Sequence, residues 1–120
     1  MVVLEPAQLD TVFHALGDAT RRRMLRSLAE GQRTVGELAA PFDMSLAAAS
    51  KHIKALEKAG LVRRTVQGRT HVCRLDTRPL EDAHDWIAFY QRFWSDSFDV
   101  LEGLLRQEDA AKKSPNGDPR

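Results

Sequence analysis

Between Thr34 and Leu75 the chain carries helix and strand signals in an order that few folds accommodate. Thr34 and Glu37 stand at the T-x-x-E spacing of a capping box, where hydroxyl and carboxylate each satisfy a backbone N–H left over at a helix start. The spacing predicts a short helix over about 35–40 that buries Leu38 and stops at Pro41. Phe42 and Met44 are expected to plug the following turn into the core. Ser45 caps a second helix running to about Ala59, with Ala49, Ile53 and Leu56 as its apolar stripe and Gly60 as its stop. Two strand-like runs, 61–66 and 69–75, then flank a turn at Gln67-Gly68. The fold class expected from this order is mainly α with a β-hairpin: a helix-turn-helix followed by a wing.

The charge distribution supports the same reading. The formal charge of the whole chain is +1, but residues 21–74 alone carry +8, against −3 before them and −4 after them. The positive segment coincides with the helix-turn-helix and the wing, so a polyanion is the expected partner of that segment. A helix exposing Leu46, Ala47, Ser50, Lys51, Lys54 and Lys58 opposite its apolar stripe fits the major groove of double-stranded DNA, and a wing reaches the flanking backbone.

Other function classes lack their signals. No apolar run approaches the roughly 20 residues of a membrane span, and the N-terminal MVVLEPAQLD has no basic region ahead of an apolar stretch. The single cysteine, Cys73, precludes an intramolecular disulfide. A cytoplasmic protein without a membrane partner is expected. No nucleophile–base pattern or Gly-rich phosphate loop is present, so no enzyme activity is expected.

Outside the central segment, Leu9, Val12, Phe13 and Leu16 give a helix over 8–16 stopped by Gly17. Asp18 caps a helix to about Glu30 with Met24, Leu25 and Leu28 on its apolar face, and Arg33-Thr34 forms a very short strand. Pro79 opens a last helix to about Arg106. Residues 1–108 are expected to form the domain and 109–120 a disordered tail.

The last helix is the second informative segment. Trp86, Phe89, Tyr90, Phe93, Trp94 and Phe98 are six of the eight aromatics of the chain. Read as one helix, they and the surrounding aliphatics form two stripes, one through 80, 83, 87, 90, 94, 98, 101 and 105, the other through 86, 89, 93, 100 and 104. A helix covering only its own core needs one stripe. One face is therefore expected to pack inward and the other on a second subunit, giving a homodimer through Leu9, Phe13, Trp86, Phe89, Tyr90, Phe93, Trp94, Leu101 and Leu104. A monomer that buries the whole helix and an aromatic ligand pocket are the competing readings.

Three segments together, FHALGDATRRRMLRSL, GELAAPFDMSLAAASKHIKALEKAGLVRR and VQGRTHVCRL, resemble the ArsR/SmtB-type winged helix-turn-helix repressors. Ser50-Lys51-His52-Ile53 stands at that family's Ser-Arg/Lys-His-Leu position. The resemblance implies a dimeric repressor that leaves an inverted-repeat operator when a signal arrives. It places Ser45, Leu46, Ala47, Ala48, Ser50, Lys51 and His52 toward the major groove. Lys54, Arg63, Arg64 and Arg69 are then expected on phosphates, with Gly68-Arg69 at the wing tip. Many members carry Gln and Ser where this chain has Leu46-Ala47-Ala48. Those side chains touch thymine methyls but make no hydrogen bonds, which shifts specificity toward DNA shape.

The metal chemistry of the family is not legible here. Thiolate sensors carry C-x-C in the short helix, where this chain has Glu37-Leu38-Ala39-Ala40-Pro41-Phe42. Asp82-Ala83-His84 matches the D-x-H of the zinc sensors, but the positions eleven and fourteen residues beyond His84 are Ser95 and Phe98. No metal site and no cofactor are expected, and the effector is unassigned. Cys73 reads as a buried strand cysteine rather than a thiol sensor activated by Arg74 or His71. A metal- or thiol-responsive sensor and a winged-helix protein-interaction module without DNA binding are the alternatives, the latter opposed by the +8 segment.

Overall fold

Each helix of the central segment starts and stops on a named side chain. The computed structural model describes residues 6–112, except the side chains at 6, 95–98, 111 and 112. Helix α1 spans Pro6–Leu16 and α2 spans Ala19–Leu28, followed by strand β1 at Arg33–Thr34 and helix α3 at Val35–Ala39. Both halves of the capping box form: Glu37 N–H donates to Thr34 Oγ1 at 3.1 Å and Thr34 N–H donates to Glu37 Oε1 at 2.8 Å. Helix α4 spans Leu46–Lys58, and Ser45 Oγ accepts from Ala48 N–H at 3.1 Å. Its end is a Schellman motif. Gly60, at φ +77°, donates to Glu57 O, and Leu61 N–H reaches back to Leu56 O. That closure turns the chain directly into the wing.

The wing is β2 (Val62–Gln67) and β3 (Thr70–Leu75), antiparallel, with β1 on the other edge of β3. Thr34 therefore pairs with Val72 and caps α3 at once, tying the start of the helix-turn-helix to the wing. The hairpin turn is Gly68-Arg69, one residue later than the expected Gln67-Gly68. Gln67 still pairs with Thr70, and Gly68, at φ +66°, takes the left-handed position that a two-residue turn requires.

Every helix from α1 to α5 (Arg78–Ala88) and both strands of the wing contribute to one core. Val12, Met24, Leu38, Ile53, Leu56, Leu61 and Cys73 are its largest fully buried side chains. Phe42 and Met44 pack against it from the turn, as the sequence predicts. Ile53→Ala in the middle of α4 is expected to cost about 2–5 kcal/mol, since a packed core relaxes only partly around a truncated side chain. Denaturant melts read by circular dichroism check this; a loss below about 1 kcal/mol contradicts the packing.

Two arginines of the first turn of α2 hold the α1–α2 corner. Arg21 Nε donates to Ala15 O at 2.8 Å and its Nη2 to His14 O at 3.1 Å, while Arg22 Nη1 donates to Leu16 O at 2.7 Å. Ala15 and Leu16 are among the carbonyls that the end of α1 leaves without intrahelical partners, and His14 O also accepts from Gly17 N–H.

The chain divides into two compact units between Asp85 and Trp86. Beyond that point the expected single helix is two. Helix α5 ends at Ala88 and α6 runs over Gln91–Lys112, with Phe89 and Tyr90 in a tight turn where Tyr90 N–H donates to Ile87 O at 2.9 Å. No Gly or Pro causes the break. Aromatic residues hold a helix weakly, and the turn brings the adjacent rings of Phe89 and Tyr90 edge-on at 4.9 Å, a contact that consecutive helical residues cannot make. Helix α6 also passes the expected end at Arg106, so residues 109–112 of the expected tail are helical. Ala110, Ala111 and Lys112 in that stretch favour helix. The remainder of the tail, 113–120, lies outside the described residues, as does the Phe98 side chain.

Candidate nucleic-acid interface

Helix α4 divides its residues between core and surface as its period dictates. Ala49, Ile53 and Leu56 have no exposed surface. On the opposite side Leu46 is 62% exposed, Ala47 is exposed, and Lys51, Lys54 and Lys58 reach outward. Ser50 and Ala48 are half-buried along the border. None of the three lysines is in an ion pair among the described residues, and the same holds for Arg69, exposed beside Gly68 at the wing tip. Unpaired cations on one helix face and one hairpin tip form the electrostatic footprint that phosphates neutralise.

Three other expected DNA contacts have partners within the chain. Arg64 is only 18% exposed and grips Glu57 of α4 with two bonds, Nη2 to Oε1 at 2.6 Å and Nε to Oε2 at 3.2 Å. That pair fastens the wing to the far half of α4 instead of leaving a cation for phosphate. The period of two along β2 carried this signal, since position 64 shares the inward face of Val62. Arg63 donates through Nε to Asp76 Oδ2 at 2.8 Å, although its side chain stays 68% exposed. His52 is 23% exposed and turned toward α2, with Nδ1 at 3.7 Å from Asp18 Oδ2 and 3.5 Å from Arg21 Nη1. Spacing carried this signal too: 49, 52, 53 and 56 are one stripe, whereas 47, 50, 51, 54 and 58 are another.

Asp76 is the junction between the wing and α5. It accepts from the guanidinium groups of Arg78 and Arg63 and from Arg78 N–H, and these bonds hold its carboxyl far below the usual carboxylate range. The carboxylate contributes stability above the ordinary aspartate pKa and loses it as pH falls through the depressed folded value. Asp76→Asn is therefore expected to lower the melting temperature at pH 7, with the gap to wild type closing as pH is taken well below 4. A gap independent of pH contradicts this.

Cys73 is fully buried on β3, and burial pushes its thiol pKa up, with the Arg64 charge opposing only in part. A protonated, covered thiol is a poor nucleophile. His84 is exposed and 3.7 Å from Asp85 Oδ1. Among the described residues no three His, Cys, Asp or Glu side chains are close enough to share a metal. No helix among them is long and apolar enough to cross a membrane.

Comparisons with known proteins agree with this geometry. A helix-turn-helix domain family matches residues 16–65. The HTH-type transcriptional regulator Rv2034 of Mycobacterium tuberculosis is 37% identical over 99 residues, 82% of this chain and 90% of that protein. The transcriptional repressor SdpR of Bacillus subtilis is 32% identical over 79 residues, 66% of this chain and 88% of that protein. The crystal structure of an ArsR family transcriptional regulator superposes with a TM-score of 0.72 at 41% identity, over 78% of this chain and 97% of that one. The chain belongs to the ArsR family. As an ArsR-family winged helix-turn-helix protein it is a DNA-binding transcriptional regulator, with α4 as the second helix of its helix-turn-helix and β2–β3 as its wing.

Proposed function

We propose that this regulator is a dimeric repressor that binds an inverted-repeat operator and leaves it on a signal. The observation that carries the DNA half of this reading is the set of exposed, unpaired cations on the recognition helix and wing tip, Lys51, Lys54, Lys58 and Arg69. Ser45, Leu46, Ala47, Ala48 and Ser50 occupy the part of α4 that enters the groove, with Leu46 and Ala47 offering apolar contact to thymine methyls. Gly68 lets the wing tip approach the backbone with no side chain in the way; a Cβ there meets nothing within 4 Å, but φ +66° disfavours any other residue.

The dimer half rests on the second unit. Trp86, Phe89, Tyr90, Phe93, Trp94, Leu101 and Leu104 are all exposed, and so are Ile87, Val100 and Leu105. One face is expected to pack inward, but among the described residues of the two stripes Ala83 is buried, Leu80 is partly buried, and the rest are exposed. So much apolar surface on one short stretch needs a cover, and a second copy of the same helices is the simplest self-complementary one. Leu9 and Phe13 of α1 are half-buried against the core and supply the remaining expected contacts. The exposed Leu46 belongs instead to the groove-facing side of α4.

The reading is tested with a randomised 30-bp duplex library and fluorescence anisotropy at two salt concentrations. Recovery of an inverted repeat with half-sites about 10–11 bp apart, or a multiple, bound more weakly as salt rises, supports it. Equal, salt-insensitive binding to all sequences overturns it.

A further inference from the structure

The side chain of the recognition helix that faces away from the groove has a role the basic residues do not. His52 is held at a corner where three helices meet. Its Nδ1 lies 3.7 Å from the Asp18 carboxylate and 3.5 Å from the Arg21 guanidinium. Asp18 Oδ2 also accepts from Arg21 N–H at 3.0 Å as the N-cap of α2, and Arg21 in turn holds the last carbonyls of α1 through His14 O and Ala15 O. The buried residues of α4, Ala49, Ile53 and Leu56, are apolar, and the Arg64–Glu57 pair anchors its C-terminal half to the wing, so His52 is the polar contact of the half nearer the α1–α2 corner. Apolar packing is non-directional, whereas an imidazole nitrogen accepting from Arg21 Nη1, itself fixed beside the Asp18 carboxylate, adds a directional contact that orients the helix about its axis.

We propose that His52 is a positioning residue of the recognition helix: through Asp18 and Arg21 it sets the rotation of α4 against the α1–α2 corner, and it reads no base. This deepens the reading of α4 as the DNA-binding helix and rests on it. The same network joins the end of α1 to α4 by polar bonds, so the orientation of the recognition helix depends on the corner that the α1 carbonyls complete.

The test uses the full chain and the duplex that the wild-type protein selects from a randomised library, compared with every single-base variant of that duplex. His52→Ala is expected to weaken binding about tenfold, the scale of removing hydrogen bonds to charged groups. It should leave the order of preference among the base variants and the salt slope unchanged. His52→Asn, whose amide can replace Nδ1, is expected to recover most of the affinity. Asp18→Asn, which keeps an N-cap acceptor, should weaken binding too, and the double variant with His52→Ala should be little weaker than either single one. A failure of His52→Ala to discriminate at one base pair makes His52 a base reader and overturns the inference. A salt slope flatter by about 1.8, the mark of one phosphate left unneutralised in each subunit of the proposed dimer, makes it a backbone contact and overturns the inference equally. Unchanged affinity, or strictly additive Asp18 and His52 effects, also overturns it. Failure of the wild-type protein to select any sequence overturns the DNA-binding reading itself, and this inference with it.

Discussion

Replacing Lys51, Lys54 and Arg69 together with Ala is expected to reduce DNA affinity by about three to four orders of magnitude at 0.15 M salt. Each neutralised phosphate contributes about −0.9 to the slope of log affinity against log salt, and the proposed dimer doubles the three contacts, so the slope should flatten by about five. The effect is electrostatic and falls equally on all sequences. None of these side chains touches the core, so the variant should keep its circular dichroism spectrum and melting temperature. Arg64→Ala provides the contrast. Its guanidinium is held by Glu57, so its removal should loosen the wing and lower stability while leaving the slope nearly unchanged. A triple variant with wild-type slope refutes the assignment of the DNA face, and a clear drop in slope for Arg64→Ala refutes its role as a wing anchor.

Phe93→Glu with Trp94→Glu is expected to convert the proposed dimer into a monomer. Phe93 is 50% and Trp94 48% exposed in a single chain, and a subunit contact that buries both rings would contain two residues of the type that dominates interface energetics. Charges placed in that contact lose hydration without gaining partners. Arg92 lies over the rings of Phe89 and Phe93, at 4.8 Å and 4.9 Å, and presents them as a preformed aromatic surface. Sedimentation velocity should give one species of monomer mass. Operator affinity should fall by about 10²–10⁴-fold, because the second half-site is no longer engaged as an intramolecular event. A variant that still sediments as a dimer at micromolar concentration would place the subunit contact elsewhere. A variant that becomes monomeric yet binds the full operator undiminished would separate dimerisation from DNA binding.

The residues that mattered most for the fold act over short distances. Thr34 with Glu37, Ser45, and Gly60 fix the ends of α3 and α4 through bonds to backbone groups within about four residues, and such spacings are visible in a linear sequence. The same holds for the buried stripe of α4 and for the strand alternation of the wing, whose turn moved by only one residue. The segregation of positive charge into 21–74 named the kind of partner without any coordinates.

What the sequence alone did not settle depends on contacts between distant residues. A cation at position 51 and a cation at position 64 look alike in a sequence; only the fold puts Glu57 against one and solvent against the other. Asp76 captures Arg63 across thirteen positions, and Asp18 and Arg21 meet His52 across more than thirty. Arg21 and Arg22 turn back to the open carbonyls of α1, a use that helical spacing within α2 cannot reveal. The break at Phe89-Tyr90 likewise arises without Gly or Pro, where ring contacts outweigh a weak local preference for helix. Local hydrogen bonds and hydrophobic period thus determined the elements and the chemistry of the partner, because both are set by neighbours in the chain. The tertiary structure decided which charges remain free for that partner, because an ion pair depends on distance in space and not on position in sequence.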